Sequence, residues 1–173
     1  MKFRVLAANL LFAGCATAPQ QEKLTDRQIA MVMRVLNLGE VRESEIARDK
    51  SGTATVREFA QMLINEHDAQ NNKAESELSR ADINSEDTTL SRQLDATSGA
   101  AADRLRGLSG AALDRAYIDR QVDAHQAALK LIDSTLAPQA RKKVVKDQLT
   151  ALRKLIDTHL ARAKQIRSTL VSS

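Results

Sequence analysis

The last third of the chain carries two long apolar repeats with the 4-3-4-3 spacing that is typical of packed helices. The first repeat consists of Ile118, Val122, His125, Leu129, Ile132 and Leu136. The second repeat consists of Val145, Leu149, Leu152, Ile156, His159, Ala163, Ile166 and Leu170. Pro138 lies between the repeats, where it forces a turn. Because each apolar stripe must be buried against other helices, the pattern predicts two antiparallel helices within a larger helical domain.

Two further helices are predicted upstream. Helix one begins at Thr25, since Thr25 and Gln28 have the spacing of a capping box. Its apolar face is formed by Ile29, Val32 or Met33, Leu36, Glu40, Glu43 and Ala47. Helix two begins at a second capping box, Thr55 to Glu58, and continues to about Ala81. Its apolar face is formed by Val56, Phe59, Ala60, Leu63, His67, Ala74 and Leu78.

A long segment, residues 82–110, joins helices two and three. It carries a weaker helical pattern that Gly99 interrupts, so we interpret it as a connection that contains a short helix. Strand signals are missing, and the 173 residues include only six glycines and two prolines, so the predicted fold class is all-α. A connection of this length can cross the whole molecule, which predicts an antiparallel four-helix bundle with a crossover between helices two and three.

The chain has three histidines, and each lies on the apolar face of a different predicted helix. In the crossover topology His67, His125, His159 and Glu40 fall within roughly one helical turn of the same level. Imidazole and carboxylate suit one divalent ion such as Zn, Fe, Mn or Cu. The alternative is a metal-free cluster of buried neutral histidines. In either case Glu43 and Tyr117 are candidate partners for the rings, and Glu40 is a third candidate partner in the metal-free cluster.

A di-iron centre of the ferritin type is not predicted. That centre requires a glutamate three residues before the histidine on two helices. The corresponding positions here are Ile64, Val122 and Ile156. No catalytic motif stands out elsewhere, so we expect a protein that is not an enzyme.

The N-terminus predicts export. Residues 1–14 have a basic start followed by an apolar run, which is typical of a signal peptide. Cys15 follows small residues as in a bacterial lipoprotein box, so we expect lipidation of Cys15, a tether over residues 15–24 and the helical domain over residues 25–173. The alternative is cleavage after Ala18, which would release a soluble periplasmic protein.

The charge does not indicate a nucleic-acid partner. Removing Lys2 and Arg4 with the signal lowers the formal charge from +4 to +2. Phe59 and Tyr117 are then the only aromatic side chains left for stacking on bases. The expected partners are the membrane, through the N-terminal lipid, and a second copy or another helical protein.

Several stretches together resemble domain of unknown function 4142, a family of bacterial envelope proteins. They are Glu40-Val41 with Ile46-Ala47, Phe59 to Met62 before His67, Leu108 to Ala111, Asp114 to Tyr117 before His125, and His159-Leu160. The resemblance covers about residues 26–170, although Glu66 and Leu113 stand where members usually carry Asp and Phe. It implies a ferritin-like helical bundle in the cell envelope.

The resulting functional prediction is a periplasm-facing lipoprotein, anchored in the outer membrane. Its role is expected to be non-catalytic: structural, stress-related or partner-binding. The alternative is a protein that binds one metal ion, or uses it in redox chemistry, through Glu40, His67, His125 and His159.

Overall fold

The structure is a computed structural model that describes residues 23–171. The predicted signal peptide, the lipidation site Cys15 and most of the predicted tether lie outside the described residues. Every regular element in the described range is a helix, which confirms the all-α class. Within this range no helix is both long enough and apolar enough to cross a bilayer.

Four long helices and one of intermediate length make up the described chain. They are α1 (Asp26–Lys50), α2 (Ala54–Arg80), α3 (Thr89–Arg106), α4 (Gly110–Leu131) and α6 (Lys143–Val171). A π-helical turn, Ile132–Leu136, and the short α5, Ala137–Gln139, extend α4. The wider turn ends two residues before Pro138, whose ring would clash with the carbonyl four residues earlier in a regular α-helix.

The two predicted capping boxes have different outcomes. At α1 the Thr25 hydroxyl accepts from the Gln28 N–H, and the Gln28 side chain accepts from the Thr25 N–H. The box predicted at Thr55 is wrong, since α2 already begins at Ala54 and Thr53 is the residue that precedes it. The Thr53 hydroxyl does not cap α2 and instead donates to Asp114 on α4 at 2.5 Å.

Contacts at the two ends fix the helix directions. At one end the Asp26 carboxylate accepts from the backbone N–H groups of Arg141 and Lys142, and Glu86 N–H donates to the Arg27 carbonyl. At the other end Ser51 and Thr53 donate to Asp114, and Lys50 donates to the Arg106 carbonyl. Helices α2 and α4 therefore run in parallel, while α1, α3 and α6 run in the opposite direction.

Residues 82–110 cross the molecule as α3, a helix of 18 residues. We expected a connection that contains a short helix, and the helix is longer than expected because α3 continues through Gly99. One glycine costs a helix only about 1 kcal/mol, which the packing of α3 against α1 can offset. The two helices approach closely, since a Cβ added at Gly39 would lie 2.9 Å from Ser98 Oγ.

The buried interior has two apolar clusters with polar side chains between them. The cluster at the Asp26 end includes Ile29, Val32, Leu78, Ile132, Leu149 and Ile156. The cluster at the Asp114 end includes Phe59, Leu63, Leu113, Tyr117, Ile118 and Ile166. The buried polar side chains include Asn37, His67, Gln121, His125, Gln148 and His159. This polar layer is where the predicted site lies.

Candidate metal centre

The three histidines meet in the core. His67 projects from α2, His125 from α4 and His159 from α6, and each is at most 1% exposed. Their ring centroids are 5.0 to 5.9 Å apart. One ring nitrogen from each residue lies within 4.8 Å of the other two. The parallel course of α2 and α4 produces this convergence, because it places the three histidines at one level.

Each ring has one nitrogen bound to an oxygen outside the cluster. His125 Nδ1 donates to the Gln121 backbone carbonyl at 2.9 Å, and a carbonyl can only accept. His159 Nε2 donates to the Glu66 carboxylate at 2.8 Å. His67 Nδ1 donates to Asn37 Oδ1 at 2.9 Å. The carbonyl and the carboxylate can only accept, so they fix the protonated nitrogen of His125 and of His159, while the orientation of the Asn37 amide sets that of His67.

The remaining nitrogens are His67 Nε2, His125 Nε2 and His159 Nδ1. Since a neutral imidazole carries only one N–H, all three present lone pairs. His159 Nδ1 lies 3.2 Å from His67 Nε2, and His125 Nε2 is buried with no hydrogen-bond partner. Lone pairs at this separation repel each other unless a cation lies between them. The cluster therefore has the arrangement of metal-binding histidines, in which the second ring nitrogen is held by an oxygen.

Burial keeps the rings in the neutral form that metals require. Desolvation lowers the pKa of His125 to about 4, with the charge of Arg120 acting in the same direction. Desolvation also lowers the pKa of His67 and of His159, and the neighbouring histidines lower both further. The bond to Glu66 partly opposes the shift at His159. At neutral pH the rings are thus ready to bind without losing a proton.

The distances suit a small transition-metal ion. Two nitrogens that bind zinc at about 2.0 to 2.1 Å in tetrahedral geometry are about 3.3 Å apart. The 3.2 Å separation between His67 and His159 is already close to this value. The ligand nitrogens of all three histidines lie within 4.8 Å of one another, so the His125 ring has to move toward the other two to complete the set.

The sequence matches the family described as a domain of unknown function (DUF4142) over residues 13–166. The chain belongs to the DUF4142 family. No curated protein matches the sequence. Among solved structures, a DUF305 protein from Streptomyces coelicolor that is described as secreted has a similar fold, with a TM-score of 0.69. That likeness covers 84% of this chain and 93% of the other at 14% identity, so it concerns the fold alone.

In this DUF4142 chain Glu40 lies beside the histidines but outside the converging group. Its Oε1 is 3.8 Å from His125 Nδ1, the nitrogen already bound to Gln121, and its Oε2 is buried without a partner. Burial raises the pKa of Glu40 to about 7, although Arg120 and Gln121 lower it in part. In this geometry Glu40 is a neighbour of the three-histidine set and does not supply a fourth ligand.

Glu43 and Tyr117, the candidate partners for the rings, are bound elsewhere. Arg120 donates two hydrogen bonds of 2.9 Å to the buried Glu43 carboxylate. The Tyr117 hydroxyl pairs with Ser44 at 2.8 Å. Both residues are buried, Glu43 as its place on the apolar face of helix one predicted, but an arginine and a serine from facing helices reach them before any histidine does.

The residues that do hold the rings are Asn37, Gln121 and Glu66, and the sequence pattern did not predict this role for them. Asn37 lies on α1 and is only 1% exposed, whereas the predicted buried face of this helix contained the adjacent Leu36. Gln121 acts through its backbone carbonyl, for which the sequence offers no side-chain signal. Glu66 precedes His67 directly and is the one partner that a search for carboxylates next to histidines would have found.

Proposed function

We propose that this protein binds one divalent transition-metal ion through His67 Nε2, His125 Nε2 and His159 Nδ1. The observation that carries the proposal is the set of three buried lone pairs, each on a ring whose other nitrogen is fixed by an oxygen acceptor. A purely structural cluster would gain more from an N–H of one ring pointing at the next. This favours the metal-binding alternative over a role without metal.

The donor set narrows the choice of ion. Three imidazoles without a carboxylate suit Zn and Cu(II) better than Mn, which prefers oxygen ligands. Cu(II) binds most tightly of the divalent first-row ions, so availability would decide between the two. Three histidine ligands leave a fourth position open for water or another small ligand. We propose a binding role and not turnover.

The fold and location belong to the same proposal. The proposed fold is a ferritin-like four-helix bundle of α1, α2, α4 and α6 with α3 as the crossover, and the contacts of α1 with α2 and of α4 with α6 support it. Lipidation at Cys15 would hold this domain at the periplasmic face of the outer membrane. The described chain supports a short tether, because Leu24 is buried and its N–H donates to Gln139 at 2.7 Å. The domain is therefore fixed from Leu24 onward.

The test is metal analysis of the mature protein. Wild type is expected to hold one ion per chain after equilibration with Zn²⁺ or Cu²⁺ and removal of excess metal. Substituting His67→Ala, His125→Ala and His159→Ala together should abolish stoichiometric binding. The matched control replaces Glu58, Gln126 and Lys154 by alanine, one exposed position on each of the same three helices.

The control variant should bind as wild type does. Stoichiometric metal in the triple histidine variant, or none in wild type, would overturn the proposal. Circular dichroism of both variants separates loss of the ligands from loss of the fold.

A further inference from the structure

A cleft of about 130 Å³ opens between α1, α3 and α4. Its walls are mainly apolar and include Val35, Leu36, Leu94, Ala127, Ala128 and Leu131. Small side chains keep it open on the α4 side, where Ala127 is exposed and Ala124 is buried. The cleft is distinct from the histidine cluster, since none of the three histidines lines it.

The polar part of the cleft is formed by Glu40, Glu43, Arg120, Thr97 and Ser98. Both carboxylate oxygens of Glu43 accept hydrogen bonds from Arg120. Glu40 is different, because its Oε2 has no partner and its side chain is 13% exposed. Its other oxygen, Oε1, is 3.8 Å from His125. The Glu40 carboxylate thus lies between the cleft and the Nδ1 side of the His125 ring.

We infer that this cleft is the route by which a divalent cation reaches the three histidines, and that Glu40 is the carboxylate that receives the ion. The inference rests on the proposed metal-binding function. The histidines are too deeply buried for an ion to reach them directly from solvent. A carboxylate oxygen at the inner end of an opening can replace part of the water shell that the ion loses on entry.

A second approach to the histidine cluster, over the surface of α2, is less suitable for the entry of an ion. It passes Glu66, whose side chain is 44% exposed but already accepts the His159 hydrogen bond. The groove at that point is lined by Glu58, Gln61, Met62, Asn65 and Glu66. All five residues belong to α2, so the groove is a surface feature of one helix and does not lead between helices. An ion entering there would also have to break the bond that orients His159.

The experiment measures the rate of Co²⁺ uptake by the metal-free mature protein, using stopped-flow absorbance. Ala127→Leu adds bulk at the exposed mouth of the cleft and should slow association by about tenfold or more. Dissociation should slow by the same factor, because the ion leaves by the route it enters, and Kd should stay unchanged. Leu94→Ala widens the cleft from α3 and should speed association.

Ala112→Leu is the matched control, with the same substitution at another exposed position of α4 that does not line the cleft. It should associate as fast as wild type. Glu40→Gln should slow association if the carboxylate receives the ion. Association by Ala127→Leu and Glu40→Gln at the wild-type rate would overturn the inference. Failure of wild type to bind Co²⁺ at equilibrium would instead contradict the proposed function, so the two failures are distinguishable.

Discussion

At the scale of single residues, unsatisfied polar atoms are concentrated around the histidines. Among the described residues they are Glu40 Oε2, Ser98 Oγ, both amide atoms of Gln121 and His125 Nε2. Each buried polar group without a partner costs about 1 to 3 kcal/mol. Such groups are rare in native cores, and a bound water or ion is one way in which they are satisfied. Their position on facing helices next to the cluster is what a binding site would require.

The metal-free protein should lose stability as the pH falls through the range in which free histidine titrates. The folded-state pKa of His125, about 4, lies below the ordinary value of 6.5. Between these values the unfolded chain binds the proton and the folded chain does not. The contribution of the neutral His125 ring to the free energy of unfolding is therefore complete above pH 6.5 and is lost progressively as the pH falls to about 4. Its size is about 3 kcal/mol.

Comparison with His125→Gln isolates this contribution from that of Glu40, whose raised pKa acts in the opposite direction. Urea denaturation between pH 4 and 7 gives the free energy of unfolding of both proteins. Wild type should lose about 3 kcal/mol relative to the variant across that range. A difference that does not change with pH would show that His125 is not held neutral by burial.

Glu66 should control affinity without touching the ion. Its carboxylate accepts the proton of His159 Nε2 and so makes the other nitrogen a better donor to a metal. Glu66→Gln is expected to weaken Zn²⁺ binding by about 10- to 100-fold. Glu58→Gln, an exposed position on the same helix, is the control and should leave the affinity unchanged. Equal affinities for all three proteins would show that Glu66 has no positioning role.

At the scale of helices, the sequence predicted most of the elements. It did not predict the features that depend on contacts with a neighbouring helix. The starts of α1 and α4 and the buried histidines follow from local pattern. The buried face of α1 does not follow from local pattern, because α1 contacts both α2 and α3 and so buries a wider arc than one apolar stripe. Asn37 lies within that arc, while the neighbouring Leu36 is only half-buried.

The α1–α2 turn is joined to the start of α4 by Asp114. Its carboxylate is buried and accepts hydrogen bonds from Ser51 at 2.6 Å and Thr53 at 2.5 Å. Asp114→Ala removes the carboxylate that accepts from both hydroxyls and should lower the free energy of unfolding by about 3 kcal/mol, since hydrogen bonds to charged groups contribute about 1.5 to 3 kcal/mol each. Urea denaturation measures the loss.

Asp119→Ala is the control for this prediction, because Asp119 is an exposed carboxylate on the same helix. Its effect should stay within about 0.5 kcal/mol. A similarly small effect at Asp114 would mean that water replaces the carboxylate at no cost and that the turn is held by packing alone.

At the scale of the whole molecule, the site depends on topology more than on any local motif. Three helices contribute one histidine each, and only a crossover by α3 brings them to one level. The sequence could predict that the histidines and Glu40 lie at one level of the bundle. It could not predict that Glu40 lies on the Nδ1 side of His125, because that depends on the orientation of the ring. Self-association stays a prediction: Leu38 is the one large apolar side chain that is exposed among the described residues.

An ion held by α2, α4 and α6 should stabilise the entire fold. Only the folded chain brings the three nitrogens together, so binding adds about 2.7 kcal/mol to the free energy of unfolding when free metal is at 100 times Kd. For a chain of this size that raises Tm by about 5 to 10 °C. Differential scanning calorimetry with Zn²⁺, followed by a chelator, should show a reversible shift in wild type. The triple His→Ala variant should show none, because surface carboxylates bind folded and unfolded chains alike. An equal shift in both proteins would show that the stabilising ion binds the folded chain at a place other than the three histidines.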